Sequence, residues 1–206
     1  MKISYAITVC NEIEEIKRLV PFLLEHKREQ DEIVVLMDET SGTEEVNNFL
    51  LDSIRKIRTF KFPFNKNFSE YKNYLNSLCS GDYIFNIDAD EIPSETLIKY
   101  LPEIIENNPD IKAYAVPRVN TVEGLTLEHI QKWGWNVNEF GWVNYPDYQT
   151  RIYKNDHGIY WERPVHERLN IWMDATALPM EDEYWVLYHP KDIARQEKQN
   201  AFYNTI

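Results

Sequence analysis

Three apolar runs, at residues 3–9, 33–37 and 83–87, each give way at once to acidic or amide residues, and each is followed by apolar positions at helical spacing. The runs do not alternate apolar with polar, so each suits a parallel strand covered on both faces rather than a strand with one wet side. Strand, polar turn and helix in repeated order build a doubly wound α/β fold with a mostly parallel central sheet. In such sheets ligands bind outside the carboxyl ends of the strands. Those ends carry Asn11-Glu12, Asp38 and Asp88-Ala89-Asp90-Glu91.

The units follow one another closely. Ile13, Ile16, Leu19, Val20, Leu23 and Leu24 form the first helical face, and Val46, Phe49, Leu50 and Ile54 the second. Residues 58–62 give a short third strand, after which Ser69 is expected to cap a helix bearing Tyr71, Tyr74, Leu75 and Leu78. Pro93-Ser94-Glu95 opens a further helix, and residues 113–119 read as one more strand. Beyond that the composition shifts. All six tryptophans (133, 135, 142, 161, 172 and 185) lie in the second half, and residues 120–146 form a long aromatic stretch with one short helix expected near 125–132. Short strands are expected near 149–153, 158–161 and 184–188, and a closing helix over 190–203. Most tryptophans should be core, with one or two of Trp133, Trp135 and Trp142 lining a cleft for a second substrate.

A chain of 206 residues buries roughly 70% of its unfolded surface. One domain is expected over 1–206, with 1–119 as an α/β half and 120–206 as an aromatic-rich half ending in the last helix. The formal net charge of -12 opposes general binding to nucleic acid, which relies on clustered Lys and Arg. Cys10 and Cys79 are too few for a disulfide framework or a thiolate zinc site, and a reduced cytoplasmic setting follows. The opening apolar stretch is too short for a signal peptide, and no run approaches the ~20 apolar residues of a membrane span.

Asp88 and Asp90 flank a small residue, so a turn can bring both carboxylates to one side, as Mg²⁺ or Mn²⁺ requires when substrate phosphates complete its shell. An isolated Asp-x-Asp triplet is commonly a solvated acidic turn. Its position after a buried strand, beside two other polar strand ends, favours a site. None of the six glycines forms a dinucleotide fingerprint or a phosphate-cradling loop, so a metal is the expected device for holding a diphosphate.

Ala6-Ile7-Thr8-Val9-Cys10-Asn11-Glu12, Met37-Asp38-Glu39-Thr40-Ser41-Gly42-Thr43, Phe68-Ser69-Glu70-Tyr71-Lys72-Asn73 and Asn86-Ile87-Asp88-Ala89-Asp90-Glu91 occur in the order seen in family 2 glycosyltransferases with the GT-A fold, which the chain resembles over roughly residues 1–120. The resemblance continues more loosely through Arg151 and Val165-His166-Glu167, and Glu44 stands where an aspartate is common. It implies that Asn11, Glu12 and Asp38 surround a nucleobase and ribose, most often uridine. Lys72 and Asp88 would also lie at the nucleotide, with Asn73 supporting the turn. It further implies that Glu167 takes the proton from an acceptor hydroxyl, a step worth about 10²–10⁴ in rate. Asp90 joins it among the catalytic groups as a metal ligand with Asp88. His166 or His189 can complete the metal shell, each being equally able to serve as a hydrogen-bonded structural residue, and Arg151 can meet the departing diphosphate or form a plain salt bridge.

The resulting expectation is a metal-dependent, inverting transfer of a hexosyl or pentosyl group from a UDP-linked donor to a hydroxyl, with Mn²⁺ or Mg²⁺ as cofactor. The acceptor is open among polysaccharide, lipid-linked sugar, protein and modified nucleobase. Two rivals remain: a nucleotidyltransferase acting on sugar phosphates, which usually carries a glycine-rich basic loop absent here, and a non-catalytic nucleotide-sugar-binding module.

Overall fold

The computed structural model describes residues 1–203. The elements are β1 (Ile3–Val9), α1 (Ile13–His26), β2 (Glu32–Asp38), α2 (Glu44–Ser53), β3 (Arg58–Phe62), α3 (Phe68–Leu78), β4 (Tyr83–Asp88), β5 (Ile92–Pro93) and α4 (Glu95–Asn107). They continue as β6 (Ala113–Val116), β7 (Arg118–Glu123), α5 (Leu127–Trp133), β8 (Gln149–Lys154), β9 (Trp161–Glu162), β10 (Arg168–Leu169), β11 (Thr176–Ala177), β12 (Leu187–Asp192) and α6 (Ile193–Tyr203).

The main sheet runs β11-β6-β8-β4-β1-β2-β3, with β8 antiparallel to both its neighbours and the remaining pairings parallel. Thr8 lies opposite Asp88, Val9 opposite Met37, and Asp38 opposite Phe62. The polar residues that end β1, β2 and β4 therefore emerge along one edge. A second sheet, β5-β12-β7, stands beside it, and β9 pairs with β10.

Period-two alternation divides the core between the two faces of the sheet. Ile3, Tyr5, Ile7 and Val9 pack with Ile16, Leu19, Leu23, Leu97 and Leu101 of α1 and α4. Ala6, Val34, Leu36 and Ile84 pack on the other face with Tyr71 and Leu75 of α3, Tyr153 and Trp161. No helix of the described residues is long and apolar enough to cross a membrane.

Several boundaries differ from the sequence-based expectation, each for a local reason. The strand expected over 113–119 divides at Pro117, which has no N–H to continue a ladder. β6 stays in the main sheet while β7 leaves to pair with β12. The cap of α3 is Asn67, whose side chain accepts from the Glu70 N–H, while Ser69 lies within the helix and donates to Asn67 Oδ1. Residues 190–192 extend β12, so the last helix begins at Ile193. Trp161 is the tryptophan in the buried core, whereas Trp172 is exposed.

At the opposite edge, Glu32 ties together the amino ends of the strands. Ser4 Oγ and Ser80 N–H each donate to Glu32 at 2.6 Å, and Lys2 and Arg58 lie 3.1 and 3.0 Å away. Burial raises the Glu32 carboxyl, but these donors outweigh it and bring its pKa down to about 2 from 4.5. A depressed carboxyl stabilises the fold fully above its unfolded value and loses that contribution as pH falls toward the folded one. Glu32→Gln is therefore expected to lower thermal stability at pH 7 and to flatten the loss of stability between about pH 4.5 and 2, as read by melting curves across that range.

Candidate active site

A cleft of about 870 Å³ opens at the carboxyl edge of β1, β2 and β4. Asn11, Glu12, Asp38, Lys72, Asp88, Asp90, Arg151, His166, Glu167 and His189 all line it. Residues from both halves of the chain thus border one space.

The turns that shape the cleft hold themselves. Glu12 folds its carboxylate back onto the N–H groups of Cys10 and Asn11, at 2.7 and 3.0 Å. Asp38 Oδ1 accepts from the N–H groups of Thr40 and Phe64, at 2.9 and 3.0 Å. The chain closes so tightly after β2 that a Cβ at Gly42 would lie 2.3 Å from the Asp38 carbonyl oxygen. On the far wall, the Phe68 N–H donates to the Pro164 carbonyl at 2.9 Å, and Arg163 and His166 adopt positive φ of 71° and 54°. Left-handed backbone at non-glycine residues is uncommon, and here it brackets the segment leading into Glu167.

Lys72 is buried between the two sides. Its ammonium lies 2.8 Å from Glu167 and 3.3 Å from Asp88, and 4.7 Å from the Trp161 ring centroid. Burial alone would lower its pKa, yet Asp88 and Glu167 raise it, so the charge is retained. Asn73, expected to support the nucleotide turn, instead exchanges two hydrogen bonds with the Trp161 backbone, at 2.9 and 2.8 Å. It steadies β9, against which Lys72 rests.

Arg151 does not have a free fork for a diphosphate. Its Nη2 donates to Asp88 at 2.5 Å and Glu91 at 2.7 Å, and Nη1 donates to Asn86 at 3.2 Å. Arg151 is 4% exposed and its guanidinium already serves two carboxylates, so it positions Asp88. Burial raises the Asp88 carboxyl, but Arg151 and Lys72 more than reverse this and hold it far below the usual range. Arg118 extends the network, reaching Glu91 at 3.0 Å and Asp147 at 2.6 Å. Asn120 donates to Asp147 at 2.8 Å.

Asp90 faces a different set of partners. Its Oδ2 lies 3.2 Å from His189 Nε2 and 3.3 Å from Arg195 of α6, which also pairs with Glu15. Burial raises the Asp90 carboxyl, and the His189 hydrogen bond and nearby Lys191 outweigh it, leaving the group well below its ordinary value. The Asn120 amide nitrogen is used by Asp147, so its oxygen faces His189 Nδ1 at 2.7 Å and accepts a hydrogen from it. The other ring nitrogen, Nε2, faces the Asp90 carboxylate, where a proton or a cation would join the two groups.

This donor chemistry fits a divalent ion at Asp90 and His189. At Asp88 the two oxygens already face Arg151 and Lys72, at 2.5 and 3.3 Å. His166 is exposed on the wall that carries Glu167. No group of three or more His, Cys, Asp or Glu side chains that could hold a metal ion is found among the described residues.

Glu91, Arg118, Asn120, Asp147, Lys191 and Arg195 were not assigned from sequence, yet all but Glu91 line the cleft. Glu91 was visible within its motif but had no role there. The others converge through the parallel pairing of β7 with β12, where Asn120 lies opposite His189, and such pairing has no local sequence signal.

A mostly parallel sheet with polar residues gathered at its carboxyl edge is the architecture of GT-A nucleotide-sugar transferases. The family model for glycosyl transferase family 2 matches residues 4–169, and the chain belongs to that family. Among solved structures, S. aureus TarS 1-349 is similar with a TM-score of 0.59 at 14% identity, covering 92% of this chain and 60% of that one. The same protein in complex with UDP-GlcNAc gives a TM-score of 0.61 at 16% identity, covering 93% of this chain and 59% of that one. Its complex with UDP gives 0.58 at 13% identity, covering 92% and 60%. This chain thus spans about three-fifths of the length of the structures it matches.

Proposed function

We propose that this chain transfers a sugar from a nucleotide diphosphate, with UDP as the nucleotide, to an acceptor hydroxyl with inversion at the anomeric carbon. The supporting observation is the shared ammonium of Lys72, which joins the candidate base Glu167 to Asp88 on the nucleotide edge. Two carboxylates with opposed duties in one cleft, held at a fixed separation, suit a single displacement. The similarity to a protein solved with UDP-GlcNAc supports the choice of donor.

In this reading the turns at Asn11-Glu12 and Asp38 receive the nucleoside. Asp88, fixed by Arg151, orients the donor. Glu167 accepts the acceptor's hydroxyl proton as the new glycosidic C–O bond forms and the bond from the anomeric carbon to phosphate breaks, the electron pair leaving with the nucleotide diphosphate. Lys191 and Arg195 offer positive charge on the side of the cleft that carries Asp90. Asp90 and His189 would hold Mn²⁺ or Mg²⁺, which when bound supplies charge neutralisation for the departing diphosphate. Residues 1–119 act as the donor half and 120–206 as the acceptor half, with Trp135 on the acceptor side of the cleft. The two free thiols fit a reducing cytoplasmic compartment.

Asp90→Asn is expected to abolish the Mn²⁺ stimulation of UDP release from UDP-GlcNAc while the protein stays folded by circular dichroism. Equal stimulation in the variant would remove Asp90 from the metal site. Tight UDP binding with no sugar transfer to any of a broad acceptor pool would favour a binding module, and pyrophosphate as product would favour nucleotidyl transfer.

A further inference from the structure

The long excursion between β7 and β8, residues 124–148, returns to the sheet at Asn120. The Val143 N–H donates to the Asn120 carbonyl at 2.9 Å, and the Asn120 side-chain nitrogen lies 3.4 Å from the Val143 carbonyl. Asp147 accepts from that same nitrogen at 2.8 Å. Arg118 donates to Asp147 through Nε at 2.9 Å and Nη2 at 2.6 Å, and Gln149 donates to its other oxygen at 2.9 Å. Burial raises the Asp147 carboxyl, but Arg118 and the bonds from Asn120 and Gln149 outweigh it and keep the group ionised. A carbonyl and a carboxylate can only accept, so the Asn120 amide faces them in one sense alone.

The consequence falls on His189. Parallel pairing of β7 with β12 sets Asn120 opposite His189, whose Nδ1 lies 2.7 Å from the amide oxygen. That oxygen has no hydrogen to give, so Nδ1 carries one and Nε2 is the nitrogen turned to Asp90, at 3.2 Å. His189 is 7% exposed, which leaves the amide rather than bulk water as the partner of Nδ1. A histidine that binds a cation through one nitrogen commonly gives its other N–H to a fixed acceptor, and that acceptor sets the tautomer and direction of the ring.

We propose that Asn120 is the positioning residue of His189: held by Asp147 and Arg118, it fixes the hydrogen on Nδ1 and presents Nε2, beside Asp90, to the divalent ion. The inference rests on the reading of Asp90 and His189 as the holders of that ion and adds the residue that prepares the ring. The excursion then has a task apart from the second substrate, because it carries Val143 and Asp147 to the amide. Arg118 also reaches Glu91 at 3.0 Å, and Glu91 accepts from Arg151 at 2.7 Å, so the support of His189 and the support of Asp88 are one buried chain of charges.

The test is a titration of Mn²⁺ into the chain held with saturating UDP, the free ion being counted by electron paramagnetic resonance, beside a calorimetric titration of UDP without metal. Asn120→Ala is expected to weaken Mn²⁺ binding by about 10–100-fold while metal-free UDP affinity changes by no more than a few-fold. Asp147→Ala should weaken Mn²⁺ binding by less, since the amide stays but is free to turn. In a His189→Ala background Asn120→Ala should cause no further loss, because its effect passes through the ring; a general loosening of the fold would add to the first loss. Unchanged Mn²⁺ affinity in Asn120→Ala, or losses that add to those of His189→Ala, would overturn the positioning role alone. Failure of the wild-type chain to bind Mn²⁺, or wild-type affinity in His189→Ala, would instead overturn the metal reading beneath it, and the proposal with it.

Discussion

Glu167→Gln is expected to lower sugar transfer by about 10²–10⁴ while UDP affinity changes by no more than a few-fold, measured as kcat beside calorimetric UDP titration. The amide keeps the size of the side chain and removes the proton acceptor. Lys72 loses one anionic partner but keeps Asp88 at 3.3 Å, so the buried ammonium is not left alone. The loss corresponds to about 3–5 kcal/mol of barrier, and it should fall on kcat because the group acts only as the hydroxyl deprotonates. Full turnover in this variant would move the base to another carboxylate of the cleft, and Asp147 would be the first to test.

Arg151→Met should be the most damaging single change to stability. Among the described residues it leaves Asp88 with Lys72 as its ion-pair partner and the fully buried Glu91 with Arg118. Removing one partner from a buried ionic cluster costs about 3–5 kcal/mol, because the remaining charges stay desolvated. For a chain of this size that amounts to a fall in Tm of roughly 6–20 °C. The effect also has a pH signature. Asp88 is held below its ordinary value, so its contribution is complete above about pH 4 and is lost only as pH falls further. The difference in Tm between wild type and variant should therefore be constant near neutrality and shrink in strong acid. A difference below about 1 °C at pH 7 would show that the network contributes little to the fold.

Glu91 and Arg118 also show where reading the sequence stops. The strand ends were legible because a strand buried on both faces is written as an unbroken apolar run, and the run ends where the chain leaves the sheet. Asn11, Asp38 and Asp88 were found in this way, and Lys72, Arg151 and Glu167 through the order of motifs around them. What those side chains touch was not legible. Arg151 looked like a diphosphate ligand because its charge was visible and its buried partners, Glu91 and Asn86, were not. The second half was harder for a different reason. Its strands are short, β9, β10 and β11 having two residues each, so no periodicity accumulates. Pro117 looked like part of one strand because the other residues of 113–119 fit that reading, and only the ladder distinguishes the two sheets it separates. Most tryptophans were expected in the core on account of their size, with one or two of Trp133, Trp135 and Trp142 at a cleft; Trp161 is buried and Trp135 lines the cleft, but Trp172 is exposed and Trp133, Trp142 and Trp185 are half-buried.

A single ammonium that answers to Asp88 on one side and Glu167 on the other leaves the cleft without an electrical partition. Any event that alters the charge near Asp88, including arrival of a nucleotide, redistributes the pull of Lys72 on Glu167. On the proposed reading, donor side and acceptor side are thus not interchangeable modules, and grafting the wall of a relative onto this floor would alter the strength of the proposed base even where every grafted residue folds correctly.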